Sequence, residues 1–166
     1  MLQLVVILSL ALAPASLSPR ALEREQAEPS LPELYALAAA KLLGAPSEQE
    51  FFVLPTRARA SLTERARNSS GVAHRAGDAT AREVATRLAR RGYRGNKGMR
   101  ARVGRGDELQ LVLGELRFEP AQRPTFARLI IGVIGAGGVE QSMEFLLKRE
   151  PDGWRVLNME AADNIG

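Results

Sequence analysis

The chain has 166 residues, 45% hydrophobic and 25% charged, enough for one ordinary domain with a normal core and too few for two. Cysteine is absent and histidine occurs once, which excludes disulfide scaffolds, thiol catalysis, cysteine-bound zinc or iron–sulfur centres and any multi-histidine metal site. The net charge of +4 conceals an uneven distribution: from Arg57 to Arg105 fourteen basic residues stand against three acidic ones, a net of +11, and the rest of the chain sums to −7. A one-sided field of this kind favours an anionic partner. Arginine outnumbers lysine 20 to 3, which GC-rich coding alone produces, but coding bias does not cluster the charge.

Leu4–Leu12 is an uncharged apolar run, too short for a membrane span of about 20 residues. Ala13-Pro14-Ala15 follows as a small-x-small cleavage site, so residues 1–15 read as a signal peptide, the mature chain starts at Ser16, and the protein is expected to be exported, periplasmic or secreted. A buried N-terminal strand is the competing reading. The absence of cysteine argues against a lipoprotein. Residues 16–29 form a polar linker, and residues 30–166 a single domain.

Ser30-Leu31-Pro32-Glu33 opens a first helix with Leu34, Leu37, Ala38 and Leu42 as its apolar stripe, stopped by Gly44-Ala45-Pro46. A capping box at Ser47 and Glu50 predicts a second helix through Phe51, Phe52 and Leu54, interrupted at Pro55 and recapped by Thr56 as far as Arg67. Asn68–Gly77 reads as loop, and Thr80 with Glu83 opens a third helix, Val84 and Leu88 inward, ending near Gly92. From Met99 the period becomes two: Met99, Ala101 and Val103 alternate with Arg100 and Arg102, and Gly104–Asp107 is a turn. Leu109, Leu111 and Leu113 share one parity and Leu116 and Phe118 the other, which predicts a β-bulge or bend at Gly114. Phe126–Ile134 is apolar enough for a central strand. Val139–Glu150 and Trp154–Ala162 form the last hairpin around Pro151-Asp152-Gly153. The expectation is an α+β domain: 31–91 mainly helical, 99–162 mainly an antiparallel sheet, with the helices packed on one face of the curved sheet.

Helices first, a bent meander, and the ending from Phe145 through Pro151-Asp152-Gly153-Trp154 to Leu157 together resemble the NTF2-like (cystatin-like) superfamily. That resemblance rests mainly on the final hairpin of about 25 residues. It implies a cone-shaped pocket between sheet and helices, with Tyr93, Phe145 and Trp154 as candidate lining residues. The superfamily includes isomerases, dehydratases, pocketed binding proteins and non-enzymatic exported domains, so it implies a fold and not a function.

Val133–Val139 resembles the strand and glycine turn of a dinucleotide-binding unit, but Glu140 stands where a third small residue is needed and too little chain follows for a sheet. Nicotinamide chemistry is rejected, and no cofactor or metal is expected. Arg105-Gly106-Asp107 is first a turn, and Asn68-Ser69-Ser70 fits a glycosylation acceptor that matters only in a eukaryotic source. His74 and Asp78, four apart, suit a general base with its orienting carboxylate. An exposed loop histidine and a helix-capping aspartate are the plainer account. Arg87, Arg90, Arg91 and Arg94 fall within an arc of about 100° on the third helix, with Glu83 positioned to pair with Arg87, and Lys97, Arg100 and Arg102 follow. A solvated helix face competes with an anion-binding one. Only Tyr93 supplies an aromatic ring among these cations, so nucleic acid is not the expected partner. The reading is an exported, non-catalytic module for a small apolar or lipid ligand or a partner protein, with a basic patch for an anionic surface or acidic polymer. The alternative is a small enzyme of isomerase, dehydratase or hydrolase type using His74 and Asp78.

Overall fold

The computed structural model describes residues 30–47, 50–56, 72–96, 109–119, 125–135 and 140–162. In chain order the elements are α1 (Leu31–Leu43), β1 (Phe51–Leu54), β2 (Ala73–Arg75), α2 (Asp78–Arg90), β3 (Gly95–Asn96), β4 (Leu109–Glu119), β5 (Phe126–Ile134), β6 (Glu140–Glu150) and β7 (Gly153–Ala161). The strands run β3-β1-β4-β5-β6-β7, and β2 also pairs with β4. The domain is therefore α+β, as its sequence pattern implies.

α1 and α2 lie against one another on a single face of the sheet, α1 reaching β5 and β7 and α2 lying over β1 and β3. The core between helices and sheet holds Leu34, Tyr35, Val84, Leu88, Phe51, Leu113, Leu116, Leu129, Ile131 and Phe145, all essentially inaccessible. Burial of side chains of this size supplies the main driving force, about 1.5–3 kcal/mol each before entropy is counted. α1 is alanine-rich, and Ala36, Ala38 and Ala39 bring its backbone close to its neighbours. Ser30 occupies the N-cap position with its backbone carbonyl accepting from Glu33 and Leu34, but its side chain makes no cap bond.

β4 changes parity where the leucine pattern requires it. Leu113 pairs with Ile131 and Leu116 with Leu129, so Gly114 and Glu115 together oppose Ile130. A β-carbon at position 114 would stand 2.9 Å from both the Cβ and the carbonyl oxygen of Ile130, so only glycine fits. The bulge keeps Leu111, Leu113, Leu116 and Phe118 all on the helix side. At the end of the meander, Gly153 has φ +138°, a value that disfavours any side chain in the β6–β7 turn.

Several expectations are overturned. Phe51–Leu54 is a strand rather than a helix, and it runs parallel to both β3 and β4, so the sheet is mixed and not purely antiparallel. A helix opened at Ser47 would meet Pro55 after about two turns, too short to hold alone. As a strand the same residues bury both faces: Phe51 and Val53 join the helix-side core, while Leu54 packs with Val112 and Ile134 on the opposite face. Two helices occur among the described residues, and the expected helix continuing from Thr56 to Arg67 lies, beyond Thr56, outside them. His74, read as loop, lies in β2, and α2 opens at Asp78 behind an N-cap Gly77 rather than at Thr80. β6 is a strand antiparallel to β5, which removes the dinucleotide-binding alternative. The signal peptide, the linker, Asn68–Ser70, Met99–Val103 and Arg105–Asp107 lie outside the described residues.

Candidate functional site

α2 is amphipathic, with Ala81, Val84, Ala85 and Leu88 buried and the opposite side turned to solvent. Its last turn carries Arg87 and Arg90, and Arg91 is the C-cap. Cations suit the negative end of a helix dipole, which accounts locally for part of this arrangement. Arg87 Nε lies 3.1 Å from Glu83 Oε1, the i,i+4 pair expected from the spacing, although Nε is not aligned for a hydrogen bond. Arg90, Arg91 and Arg94 are exposed, and Arg90 and Arg91 make no ion pair among the described residues. No acidic residue occurs between Val84 and Asn96 to offset them. Lys97, Arg100 and Arg102, the remaining members of the predicted patch, lie outside the described residues.

The arginines of the sheet are arranged differently. Arg75 reaches Glu115 at 3.2 Å, Arg155 reaches Glu150 at 3.0 Å, and Arg128 bridges Glu119 and Glu144, each at 3.3 Å. Glu115 and Glu144 are buried on the sheet surface away from the helices, where an unanswered carboxylate is costly. Arg75 and Arg128 thus neutralise buried acids, and Arg155 pairs with the half-buried Glu150. At the end of α2, Arg87 answers Glu83, and Arg90 and Arg91 answer no acid among the described residues.

The candidate proton-transfer pair does not assemble. His74 sits half-buried beside Phe118, ring centroids 5.4 Å apart in an edge-on arrangement, and Phe118 in turn meets Trp154 at 6.2 Å. Asp78 is exposed at the start of α2, and no hydrogen bond joins it to His74 among the described residues. The candidate lining residues also have separate surroundings. Phe145 is enclosed in the core and Trp154 is half-buried against Phe118. The Tyr93 hydroxyl donates to the carbonyls of Gly44 and Ala40, tying the segment after α2 to the end of α1.

A second polar node, absent from the sequence expectations, holds these elements in place. β1 and β2 lie end to end on one edge of β4: β1 stops at Leu54 opposite Val112, and β2 pairs from Glu115 to Arg117. The bulge carbonyl of Gly114 falls between them and accepts from the Tyr35 hydroxyl at 2.6 Å and from Thr56 Oγ1 at 3.2 Å. Thr56 also exchanges bonds with Ala76, donating its N–H at 2.8 Å and accepting the Ala76 N–H on Oγ1 at 2.8 Å. Burial, with the Glu115 charge as the smaller cause, raises the Tyr35 phenol well above its usual range. Tyr35 is therefore a neutral donor at any physiological pH. Its place beside Leu34 on an apolar helix marks it as core, but nothing in the sequence marks its acceptor.

Among the described residues no helix is long and apolar enough to cross a membrane. In comparisons with known proteins no family model matches the chain, and neither does any curated protein or solved structure.

Proposed function

We propose that the domain is an exported, non-catalytic binding module of NTF2-like build that attaches to an anionic surface, a phospholipid headgroup layer or an acidic polymer, through the end of α2. The observation carrying this reading is the contrast in ion pairing: Arg90 and Arg91 stand exposed with no acid partner among the described residues, whereas Arg75, Arg128 and Arg155 each meet a glutamate. Arg87 and Arg94 flank the site, and Lys97, Arg100 and Arg102 extend its charge along the sequence. Helices on one face of a sheet bulged at Gly114 support the NTF2-like resemblance. A small apolar ligand ranks second, because Phe145 already fills its own site in the core. A non-enzymatic role is preferred because no hydrogen bond joins His74 to Asp78 among the described residues.

The test is binding of the protein to anionic vesicles and to heparin, each over a salt series. Binding that falls steeply as the Debye length shrinks from about 10 Å at 0.1 M to about 3 Å at 1 M supports the reading. It should also disappear on reversal of Arg90, Arg91 and Arg94 to Glu. The two ligands separate a lipid surface from an acidic polymer. Binding indifferent to salt and to the reversals would leave the arginines as a solvated helix face.

A further inference from the structure

Among the described residues no strand pairs with the outer edge of β7, and that edge is self-complementary. Arg155, Leu157, Asn158, Met159, Glu160 and Ala161 are all exposed, Leu157 at 44% and Met159 at 36%. The strand has neither the proline nor the lysine that commonly blunts a sheet edge. Its backbone directions follow from its pairing with β6. Ala162 donates its N–H to Ser142, so by alternation Glu160 and Asn158 also bond towards β6, and Ala161 and Met159 face outward. The Met159 N–H accordingly finds no β6 carbonyl and donates to Oδ1 of neighbouring Asn158 at 2.9 Å, a local substitute for an absent strand.

The irregularity in β7 makes the edge match itself. Asn158 pairs with Leu146 and Val156 with Leu147, leaving Leu157 as an extra residue. Beyond it the alternation resumes with Lys148 paired to Arg155, so Val156 and Trp154 face outward. The extra residue also shifts side-chain parity. Arg155 and Glu160, opposite Lys148 and Glu144, share the face away from the helices. Val156 and Met159, opposite Leu147 and Phe145, share the helix face. In a regular strand neither pair could share a face.

We propose that β7 pairs antiparallel with β7 of a second copy of this chain, in the register Arg155 opposite Glu160, Val156 opposite Met159 and Trp154 opposite Ala161. The outward backbone groups of Val156 and Met159 meet in this register. Two Arg155–Glu160 pairs form on one face and two Val156–Met159 contacts on the other. Arg155 keeps Glu150, because a guanidinium has donors for both carboxylates. The resulting two-fold axis stands perpendicular to the sheet, so both helix layers lie on the same side of one continuous sheet. This pairing is independent of what the arginines of α2 bind.

Sedimentation of the purified protein over a concentration series, with charge-reversal variants, tests the register. Arg155→Glu alone and Glu160→Arg alone should each weaken the dimer by about tenfold or more, since two cross-strand pairs turn repulsive. The double variant should restore it. These residues are exposed, and circular dichroism reports whether each variant keeps the sheet. Hydrogen exchange of the wild-type protein needs no variant: the Met159 amide should become protected as concentration rises. A protein that stays monomeric at its highest soluble concentration overturns the proposal. So does a dimer that ignores both single reversals, or one that the double variant fails to restore.

Discussion

The sheet and the end of α2 use the same residue for opposite purposes. In the sheet, Arg75, Arg128 and Arg155 lie against glutamates, and Arg128 holds the buried Glu144. At the end of α2, Arg90 and Arg91 extend into solvent with no ion pair among the described residues. A cation that answers a buried acid contributes to the fold, and its removal leaves a charge unpaired. An exposed cation without an acid contributes little to the fold and remains available to an external anion. Arginine content alone does not mark a binding surface; the pairing of each arginine separates the two regions.

The comparison breaks if substitutions in the sheet region change binding more than stability. Gly114→Ala should have the largest effect there, because the new β-carbon meets Ile130 at 2.9 Å; we expect a loss of roughly 3 kcal/mol in denaturant unfolding, with anion binding per folded molecule unchanged. Glu144→Ala removes a buried partner of Arg128 and should cost about 2 kcal/mol, again without weakening binding. Tyr35→Phe withdraws one of two donors from the Gly114 carbonyl and should cost about 1 kcal/mol at neutral pH. The tyrosine also gives that region a pH signature. Its folded-state pKa is raised above the ordinary value of about 10, so the unfolded chain loses the proton first, and stability should fall as pH rises above that value. The Phe variant should show a shallower alkaline decline.

The smallest effect sharpens the comparison from the other side. Glu83→Gln releases Arg87 from its i,i+4 partner and should cost only about 0.3 kcal/mol in stability while strengthening association with anionic vesicles. A weaker association would show that Glu83 holds Arg87 in a productive position rather than neutralising it.

The C-terminal half of the fold was legible in the sequence because its information is local. Period-two leucines define β4, their parity change locates the bulge at Gly114, and Pro151-Asp152-Gly153 announces the final turn. β1 was misread for the same reason. Ser47 and Glu50 form a local helix signal, whereas the strand depends on distant partners in β3 and β4 that no window around Phe51 contains. The arginine cluster and the Glu83–Arg87 pair follow from helical spacing, so that part of the candidate site could be read directly. The neutralisation of the sheet arginines could not, since Arg128 meets Glu144 only through the β5–β6 register. His74 and Asp78 illustrate the same limit: a spacing of four brings side chains together on a helix, but the chain passes from strand to helix between them.

The most direct test compares two double reversals with the same change in net charge. Arg90→Glu with Arg91→Glu alters the end of α2, and Arg75→Glu with Lys148→Glu alters exposed cations of the sheet. Binding of both variants and of the parent protein to anionic vesicles is measured at one low salt concentration. The account predicts that the helix-end variant loses binding while keeping its unfolding midpoint, and that the sheet variant, less stable because Arg75 answers the buried Glu115, keeps most of its binding per folded molecule. Equal losses in the two variants would contradict it, because binding would then follow total charge and not position.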